Sequence, residues 1–356
     1  MPKNKKCQFK TDLVKDYACS EPPLEGLDYC IFHKRDKTEE ETKLFEEKIE
    51  KKLQNKDYNF IGYHFTGRAD FSNKVFTEMP KFNEATFEGV ADFFKANFNS
   101  FAHFVGTTFL SEANFQESTF EDIPSFLGCI FHDLTYFDHA NFKKGAYFFF
   151  SSFLDEVSFD QSILGHRTIF AEIVFEKEVS LYRSNFEDLS IWSNVTLNHN
   201  ASAEKFYRIV KNCRQKEGDY TLAGEYYYKE RIAKRKQLPR LSFKRWSEYL
   251  LLDGLCGYGE RPLRAIRTGL GIVFGLAFLY WRVGHIYPSP ELFNEPHTLT
   301  FWDSLYFSVV TFTTLGFGDW RPDPSHWIRY VVMSEAFIGA FLMALFIVTF
   351  ARRMMR

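Results

Sequence analysis

The stretch ADFFKANFNSFAHFVGTTFLSEANF, residues 91–115, decides the fold of the first half of the chain. Phenylalanine recurs in it at alternating steps of five and six residues, at positions 93, 98, 104, 109 and 115. The spacing continues in both directions, from Phe60 to Leu197, over 26 positions of which 22 are Phe. A period of 11 residues also suits a helical supercoil, but β-formers and turn formers such as Asn73, Asn97 and Gly106 disfavour helix. The sequence therefore predicts short strands joined by corners.

This pattern resembles the pentapeptide repeats, in the variant that alternates five- and six-residue units, over residues 58–198. The resemblance implies a right-handed, four-sided β-helix. In that fold the central Phe and the small residue two positions before it, as in Ala91-Asp92-Phe93, fill the interior. Four units per coil predict about six and a half coils, and a strand spacing of ~4.8 Å makes a rod roughly 30 Å long. Cys129, two residues before Phe131, is interpreted as a small interior residue.

The predicted β-helix is acidic, because acidic side chains outnumber basic ones by ten between Ile61 and Asn200. Some pentapeptide-repeat proteins imitate the charge and shape of duplex DNA, so DNA mimicry is one alternative for this half of the chain. An acidic surface also serves solubility. We expect a cytosolic sensing or scaffolding domain that binds another cytosolic protein and no nucleic acid.

A second informative stretch, TTLGFGD at residues 313–319, lies between two apolar segments. Potassium filters replace the hydration shell of K⁺ with successive backbone carbonyls, and glycines allow those carbonyls to face one path. The stretch resembles the TVGYGD signature of the tetrameric potassium channels, with Leu and Phe replacing Val and Tyr. The resemblance implies that the K⁺ path is lined by Thr313, Thr314, Leu315, Gly316, Phe317, Gly318 and Asp319. The Thr314 hydroxyl is expected to form the innermost ion site.

The flanking segments predict two membrane spans. Tyr330 to Ala351 are 22 residues with Glu335 as the only formal charge, long enough to cross a hydrocarbon layer of ~30 Å. Thr268 to Trp281 is too short alone and is predicted to gain length from Ala265 and Ile266 before it and from Val283 to Tyr287 after it. A buried helix of a soluble domain is the alternative for this segment.

The region between the spans predicts a short pore helix from Thr300 to Phe312, with Asp303 in its first turn. The order span, short helix, Gly-rich loop, span resembles the two-helix pore of the simplest potassium channels over residues 263–356. Such subunits contribute one quarter of a pore, so the resemblance implies a homotetramer embedded in membrane lipid.

Further residues of this region match functional positions of that family. An aromatic residue on the pore helix braces the aspartate at the end of the filter, and Tyr306 matches it. Glu335 is interpreted as a hydrogen-bonding group behind the pore helix. Gly339 matches the gating hinge of the inner helix, with close helix packing as the alternative. Phe346 and Phe350 are candidate hydrophobic constrictions.

The distribution of basic residues predicts the orientation. Basic side chains precede the first span, at Arg240, Lys244, Arg245, Arg261, Arg264 and Arg267, and follow the second, at Arg352, Arg353 and Arg356. Residues 284–300 hold Glu291 and Glu295 but no Lys or Arg. This bias predicts a multi-pass protein of the cell (inner) membrane with both termini cytoplasmic.

The N-terminal segment offers four metal ligands, Cys7, Cys19, Cys30 and His33. Three thiolates and an imidazole suit a tetrahedral structural Zn²⁺ site, although the cysteine spacing differs from that of standard zinc fingers. Reduced thiols without a metal are the alternative, since disulfides are disfavoured in the cytosol. The following Glu- and Lys-rich segment, Thr38 to Lys56, is predicted to be a solvated helix that caps the rod.

A connector joins the rod to the membrane region. Ala203 to Lys216 and Tyr220 to Lys236 predict a helical hairpin, and Leu241 to Leu255 predicts a helix in the membrane interface. The chain therefore divides into an N-terminal Cys/His segment with its capping helix (residues 1–57), a β-helix (58–198), the connector (199–262) and a pore domain (263–356).

The favoured hypothesis is a potassium-selective channel subunit. A weakly selective cation channel and a membrane-tethered binding scaffold are the alternatives. The sequence has no Gly-rich phosphate loop, nucleophile elbow or helical pair of metal-binding histidines, so no enzyme is expected.

Overall fold

A computed structural model describes residues 6–11, 13, 14, 17–186, 191–289 and 298–354. The chain forms two compact units, Met1–Asp219 and Tyr220–Arg356. Glu291, Glu295 and Arg356, which enter the orientation argument, lie outside the described residues, as does the side chain of Trp192.

The first unit is a parallel β-solenoid of about six turns over residues 64–197, with four sides, as predicted. Three sides are continuous parallel sheets. The first sheet contains β1 (His64–Phe65), β4 (Thr86–Phe87), β7 (Thr108–Phe109), β10 (Ile130–Phe131), β13 (Ser152–Phe153), β17 (Val174–Phe175) and β21 (Thr196–Leu197). The second contains β2 (Ala69–Asp70), β5 (Ala91–Asp92), β8 (Ala113–Asn114), β11 (Thr135–Tyr136), β14 (Val157–Ser158) and β18 (Val179–Ser180).

The third sheet contains β3 (Val75–Phe76), β6 (Asn97–Phe98), β9 (Thr119–Phe120), β12 (Asn141–Phe142), β15 (Ile163–Leu164) and β19 (Asn185–Phe186). The fourth side consists of single parallel bridges, such as Lys81 with His103, followed by β16 (Ile169–Ala171) and β20 (Ile191–Ser193). Paired residues are 22 positions apart, which is one coil.

The interior is formed by ladders of stacked phenylalanine rings. Phe109 stacks on Phe87 below it and on Phe131 above it, with ring centroids 5.0 and 4.7 Å apart. Small residues two positions before a central Phe are buried beside the rings. Ala113, two positions before Phe115, is fully buried. Cys129 is fully buried too, donates its S–H to the Phe104 carbonyl at 2.8 Å, and has a thiol pKa raised well above its usual value by burial.

The corners follow a rule that the sequence analysis did not predict. A residue with positive φ recurs every 11 positions, two residues after every second central position. These residues are Gly62, Asn73, Glu84, Lys95, Gly106, Glu117, Gly128, His139, Phe150, Gln161, Glu172, Arg183 and Asn194. Only three of them are glycine, so at most of these positions a residue with a side chain adopts the left-handed region, which L-residues disfavour.

Helices close both ends of the solenoid. The helix α1 (Glu39–Gln54) begins with a reciprocal capping box between Thr38 and Glu41, and its Phe45 packs on Phe65 of the first coil at 5.2 Å. The helix α2 (Asn200–Lys216) buries Phe206 near Phe175 of β17, close to the C-terminal end of the first sheet. These helices cover strand edges that would otherwise offer a template for association. The helix α1 lies within the segment Thr38 to Lys56, for which the sequence predicts a capping helix.

The second unit is mainly helical. Its first part contains α3 (Tyr220–Lys236), α4 (Phe243–Ser247), a π-helix (Glu248–Gly254) and a 3₁₀ turn (Gly257–Gly259). The predicted interfacial segment is thus a short α-helix that continues as a π-helix. Its apolar residues are open to solvent, with Leu241 94% and Phe243 87% exposed.

Its second part contains α5 (Pro262–Val283), β22 (Ile286–Pro288), α6 (Phe301–Phe312), β23 (Trp320–Pro322) and α7 (Ile328–Met354). The strands β22 and β23 pair antiparallel. Both α5 and α7 are long and apolar enough to cross a membrane. The helix α6 starts with a capping box between Thr300 and Asp303, in agreement with the predicted pore helix.

One predicted boundary is wrong. The first span was expected to extend through Val283 to Tyr287, but α5 ends at Val283, because Gly284 and His285 have φ of 72° and 59°. The next residues form β22 and pair with β23. The helix gains its length at the other end, where it begins at Pro262, a residue type favoured in the first helical turn.

Candidate functional site

The candidate filter loop, Thr313 to Asp319, runs from the end of α6 into β23. Its backbone alternates between hands, since Thr314, Gly316 and Gly318 have φ of 58°, 53° and 79° while the residues between them have negative φ. Such alternation turns successive backbone polar groups toward a shared side. The side chains of Leu315 and Phe317 are 60% and 65% exposed in the single chain.

The start of the loop is held by α6 and its end by neighbouring segments. The N–H of Leu315 donates to the Val310 carbonyl at 3.0 Å. At the other end, the Asp319 carbonyl accepts the Ser289 N–H at 2.7 Å. The bracing of Asp319 by Tyr306 that the family resemblance implies remains a prediction.

Glu335 lies on α7 and is fully buried behind the pore helix. Its carboxylate accepts a hydrogen bond from the Tyr280 hydroxyl of α5 at 2.7 Å and another from the Ser308 hydroxyl of α6. Ser308 also lies 3.0 Å from the Val273 carbonyl of α5. One acid thus joins the three helices around the loop. Sequence reasoning missed Tyr280 and Ser308, although hydroxyls within apolar helices were a signal for them.

The candidate gating residues Gly339, Phe346 and Phe350 all lie on α7. A Cβ atom at Gly339 would lie 2.0 Å from the Phe312 carbonyl oxygen, so α7 touches the end of α6 at this residue. The helix α7 continues through Gly339, and this close contact is what the packing alternative expects. Phe346 and Phe350 have ring centroids 5.6 Å apart, and Phe346 borders an apolar cavity of about 430 Å³ between α5, α6 and α7.

A polar cluster that the sequence analysis missed lies beside the filter end. The rings of His285 and His326 stack at 3.9 Å, and His285 contacts the Asp323 carboxylate at 3.2 Å. Hydrogen bonds from the Ser325 hydroxyl and N–H, followed by the His285 contact, lower the pKa of Asp323 to about 2. Asp323 directly follows β23, so this cluster ties the segment after the filter to the end of α5.

A buried ion-pair network joins the connector to the first span. Asp253 of the π-helix accepts hydrogen bonds from Tyr228 at 2.8 Å and from Arg264 of α5, and it pairs with Arg235 of α3 at 2.8 Å. Asp253 and Arg235 are both buried. The pKa of Asp253 is lowered by its Tyr228 and arginine hydrogen bonds, which outweigh the cost of burial. The carboxylate therefore fixes α3 and α5 to one point.

The predicted metal ligands Cys7, Cys19, Cys30 and His33 meet in the first unit. All four are buried, and their ligand atoms lie within 4.8 Å of one another. Cys19 and Cys30 sulfurs are 3.7 Å apart, and His33 Nδ1 is 3.1 Å from Cys30 Sγ and 3.5 Å from Cys7 Sγ. The cluster has the composition and spacing of a site that could hold a metal ion.

Supporting residues orient this cluster. His33 Nε2 lies 3.0 Å from the Ile61 carbonyl, which fixes the ring so that Nδ1 faces the sulfurs. The Phe9 ring stacks on His33 at 4.1 Å, and the Cys30 N–H donates to the Cys7 sulfur at 3.4 Å. Sequence reasoning did not identify Phe9 or Ile61, because their roles depend on contacts between distant segments.

Comparisons with known protein families identify two regions of the chain. Residues 268–356 match a family model described as ion channel, and residues 93–140 match a model described as pentapeptide repeats, with nine copies. Searches of curated proteins and of solved structures found no match. The chain carries an ion channel domain in its second unit and pentapeptide repeats in its first.

Proposed function

Because the chain joins an ion channel domain to pentapeptide repeats, we propose that it is a subunit of a homotetrameric, potassium-selective channel in the cell (inner) membrane. The observation that carries the proposal is the exposed loop Thr313–Asp319, with left-handed residues at Thr314, Gly316 and Gly318. Backbone carbonyls along such a loop replace water around K⁺. The Thr314 hydroxyl, which has no hydrogen-bond partner among the described residues, supplies the innermost ligand.

The tetramer is supported by what one chain leaves exposed. A single loop gives only one side of an ion path, so several copies must surround the ion. Large apolar side chains on the membrane-capable helices are open in the single chain, including Phe337 at 72% and Phe341 at 59%. Neighbouring copies and lipid cover these surfaces in the assembled pore.

The test is ion flux through purified full-length protein in liposomes. With unequal K⁺ concentrations on the two sides, balanced by Na⁺, the reversal potential is expected near the K⁺ equilibrium value. Gly318→Ala replaces a residue with φ of 79° and is expected to abolish selective flux. Gly275→Ala on α5, where an added Cβ meets nothing within 4 Å, is the matched control. Near-equal permeability would instead indicate a weakly selective channel, and no cation flux would indicate a membrane-tethered scaffold.

Both termini are assigned to the cytoplasm, from the basic residues that flank the two spans. Reporters fused to each terminus, one active only in the cytoplasm and one only outside it, test this. Activity of the external reporter at either end would refute the orientation.

The solenoid is assigned a regulatory or scaffolding role. The Asp253 network supports it, because α3, the first helix after the unit boundary, is fixed to α5 through this carboxylate. A shortened chain beginning at Tyr220 is expected to form a pore with altered open probability. Identical flux from the full and shortened chains would restrict the solenoid to scaffolding.

Zn²⁺ is the metal assigned to Cys7, Cys19, Cys30 and His33. Tetrahedral Zn–S bonds of ~2.3 Å place two sulfurs about 3.8 Å apart, which the Cys19–Cys30 separation of 3.7 Å matches. Soft thiolates with one imidazole favour Zn²⁺ over Mg²⁺ or Ca²⁺. Since His33 is anchored to Ile61, the metal would tie the N-terminal segment to the first coil.

Elemental analysis of the purified protein tests the metal, with one zinc per chain expected. Cys30→Ser should abolish metal retention, and Cys213→Ser, which lies outside the cluster, should retain it. Cobalt substitution should give the absorption of tetrahedral thiolate coordination. Absence of metal together with six thiols that react after unfolding, one for each cysteine of the chain, would establish the reduced, metal-free alternative.

A further inference from the structure

A cavity of about 380 Å³ in the second unit has a wall of arginines. It lies between the first turns of α3, the start of α5 and the end of α7, and Arg261, Arg264, Arg267 and Arg353 line it. We propose that this cavity binds a phosphate group, supplied by the headgroup of an anionic phospholipid. The proposal is independent of ion selectivity, but the assignment to the inner leaflet rests on the proposed orientation.

Two of the arginines build the wall and two are open to a ligand. Arg264 is committed to Asp253, and the Arg261 guanidinium lies 4.3 Å from the centroid of the Tyr228 ring. Among the residues that the structure describes, Arg267 and Arg353 have no carboxylate within ion-pair distance. Both side chains are exposed, so an anion can reach them without a large rearrangement of the protein.

The remaining electrostatics favour an anion as well. The cavity's two acids are Glu225 and Glu260, and Glu260 lies 3.7 Å from the Arg352 guanidinium. The N-terminal turns of α3 and α5 both open onto the cavity, and helix N-termini carry partial positive charge. Guanidinium groups bind phosphate oxygens in a fork geometry, which selects phosphate over a simple halide.

The position of the cavity favours a lipid over a free phosphate compound. It lies at the ends of both membrane-capable helices, where a bilayer changes from hydrocarbon to headgroups. Leu263 lines the cavity and is 67% exposed, and Leu270, about two turns further along α5, is 52% exposed. A headgroup in the cavity would leave its acyl chains beside these apolar side chains.

A phosphate bound in the cavity would also link α5 to α7. Arg267 belongs to α5 and Arg353 to the last turn of α7, so one phosphate that contacts both would hold the end of the inner helix against the outer helix. The lipid would thereby resist separation of these helix ends.

Binding to the full-length, detergent-solubilised protein tests the proposal. The probes are short-chain phosphatidylglycerol, its deacylated glycerophosphoglycerol headgroup and short-chain phosphatidylcholine. Arg267→Gln combined with Arg353→Gln is expected to weaken phosphatidylglycerol binding at least about tenfold. Arg240→Gln with Lys244→Gln removes the same charge outside the cavity and is expected to change it less than about threefold. Unchanged oligomer size and thermal unfolding show that each variant is folded.

The three probes distinguish a lipid headgroup from a soluble phosphate compound. Binding of phosphatidylglycerol alone, sensitive to the cavity pair, supports a lipid headgroup. Equal binding of the deacylated headgroup supports the phosphate site but assigns it to a soluble compound, which overturns the lipid source. If phosphatidylcholine binds as well as phosphatidylglycerol, or if the cavity and control pairs weaken binding equally, the site does not exist. These measurements need no ion flux, so their failure is distinct from failure of the channel assignment.

Discussion

At Gly339 the backbone of the inner helix meets the backbone of the pore helix, and a side chain there would collide with it. The contact is with the Phe312 carbonyl, a main-chain atom that cannot rotate away. We expect Gly339→Ala to destabilise the pore domain by more than about 2 kcal/mol and to abolish flux. Thermal unfolding and liposome flux measure the two effects.

Gly271→Ala supplies the control for this substitution. Gly271 lies on α5 and has open space around it, so alanine there should be neutral or stabilising by about 0.5–1 kcal/mol. A Gly339→Ala protein with normal stability but altered gating would favour the hinge interpretation over packing.

Phe150 is a second residue at which backbone conformation should decide the effect of a substitution on stability. It occupies a left-handed corner, with φ of 54°, and its ring is 64% exposed. Asparagine tolerates this region better than most residues. Phe150→Asn should therefore be more stable than Phe150→Ala by about 0.5–1 kcal/mol, since both variants lose the same exposed ring. Chemical denaturation of residues 1–219 measures the difference, and equal stability would show that the corner carries no strain.

Lys37 predicts a pH dependence of stability. Burial lowers the pKa of its ammonium group from 10.5 to about 8, while its Nζ donates to the Lys34 and His64 carbonyls. Between these values the unfolded chain binds more protons than the folded chain, so the free energy of unfolding rises with pH from about 8 to about 10.5. Lys37→Met should flatten that rise by about 1–2 kcal/mol. Denaturation midpoints across this range test it, and an unchanged slope would contradict it.

Among the elements, the phenylalanine ladders dominate the stability of the solenoid. Phe109 is fully buried and stacks between Phe87 and Phe131. Phe109→Ala should cost about 3–5 kcal/mol, because the rigid coils above and below cannot close the cavity. Phe94→Ala, one residue after a ladder position and outside the core, should cost less than about 1 kcal/mol. Equal losses for the two variants would mean that the ladder is not the core.

The solenoid was predictable from the sequence because every coil repeats the same spacing of central apolar residues. Each central Phe fixes its own position through neighbours 22 residues away, so one spacing rule sets the register of all strands. The left-handed corners were not predictable from composition, because glycine marks only Gly62, Gly106 and Gly128 among them. Backbone hydrogen bonding between coils imposes the conformation on other residue types there.

The pore domain was predictable in its order of elements but less so in its contacts. The length of two apolar runs with few charges located both spans, yet hydropathy could not show that Ile286 and Tyr287 leave the helix to pair with β23. Glu335 stood out as a lone acid, whereas Tyr280 and Ser308 became partners only through the packing of three helices. The loop Thr313–Asp319 was recognised as a motif, and its ion-binding role remains a prediction.

At the scale of the whole molecule, the chain combines two units that should be stabilised by different ions. The first holds the Cys/His cluster and the second holds the candidate filter. A ligand that binds only the folded state raises stability by an amount set by its concentration relative to Kd. Zinc should therefore stabilise the first unit, and potassium should stabilise the second.

This difference can be measured on the intact protein by calorimetry, where two unfolding transitions are expected. A zinc chelator should lower the transition of the β-solenoid by several degrees and leave the pore transition in place. Replacing K⁺ with a large organic cation should lower the pore transition and leave the β-solenoid transition in place, since such an ion cannot enter a filter lined by carbonyls. The separate fragments 1–219 and 220–356 identify which transition belongs to which unit. If the chelator shifted neither transition, or if the pore transition ignored the exchange of K⁺, the corresponding ion site would be excluded.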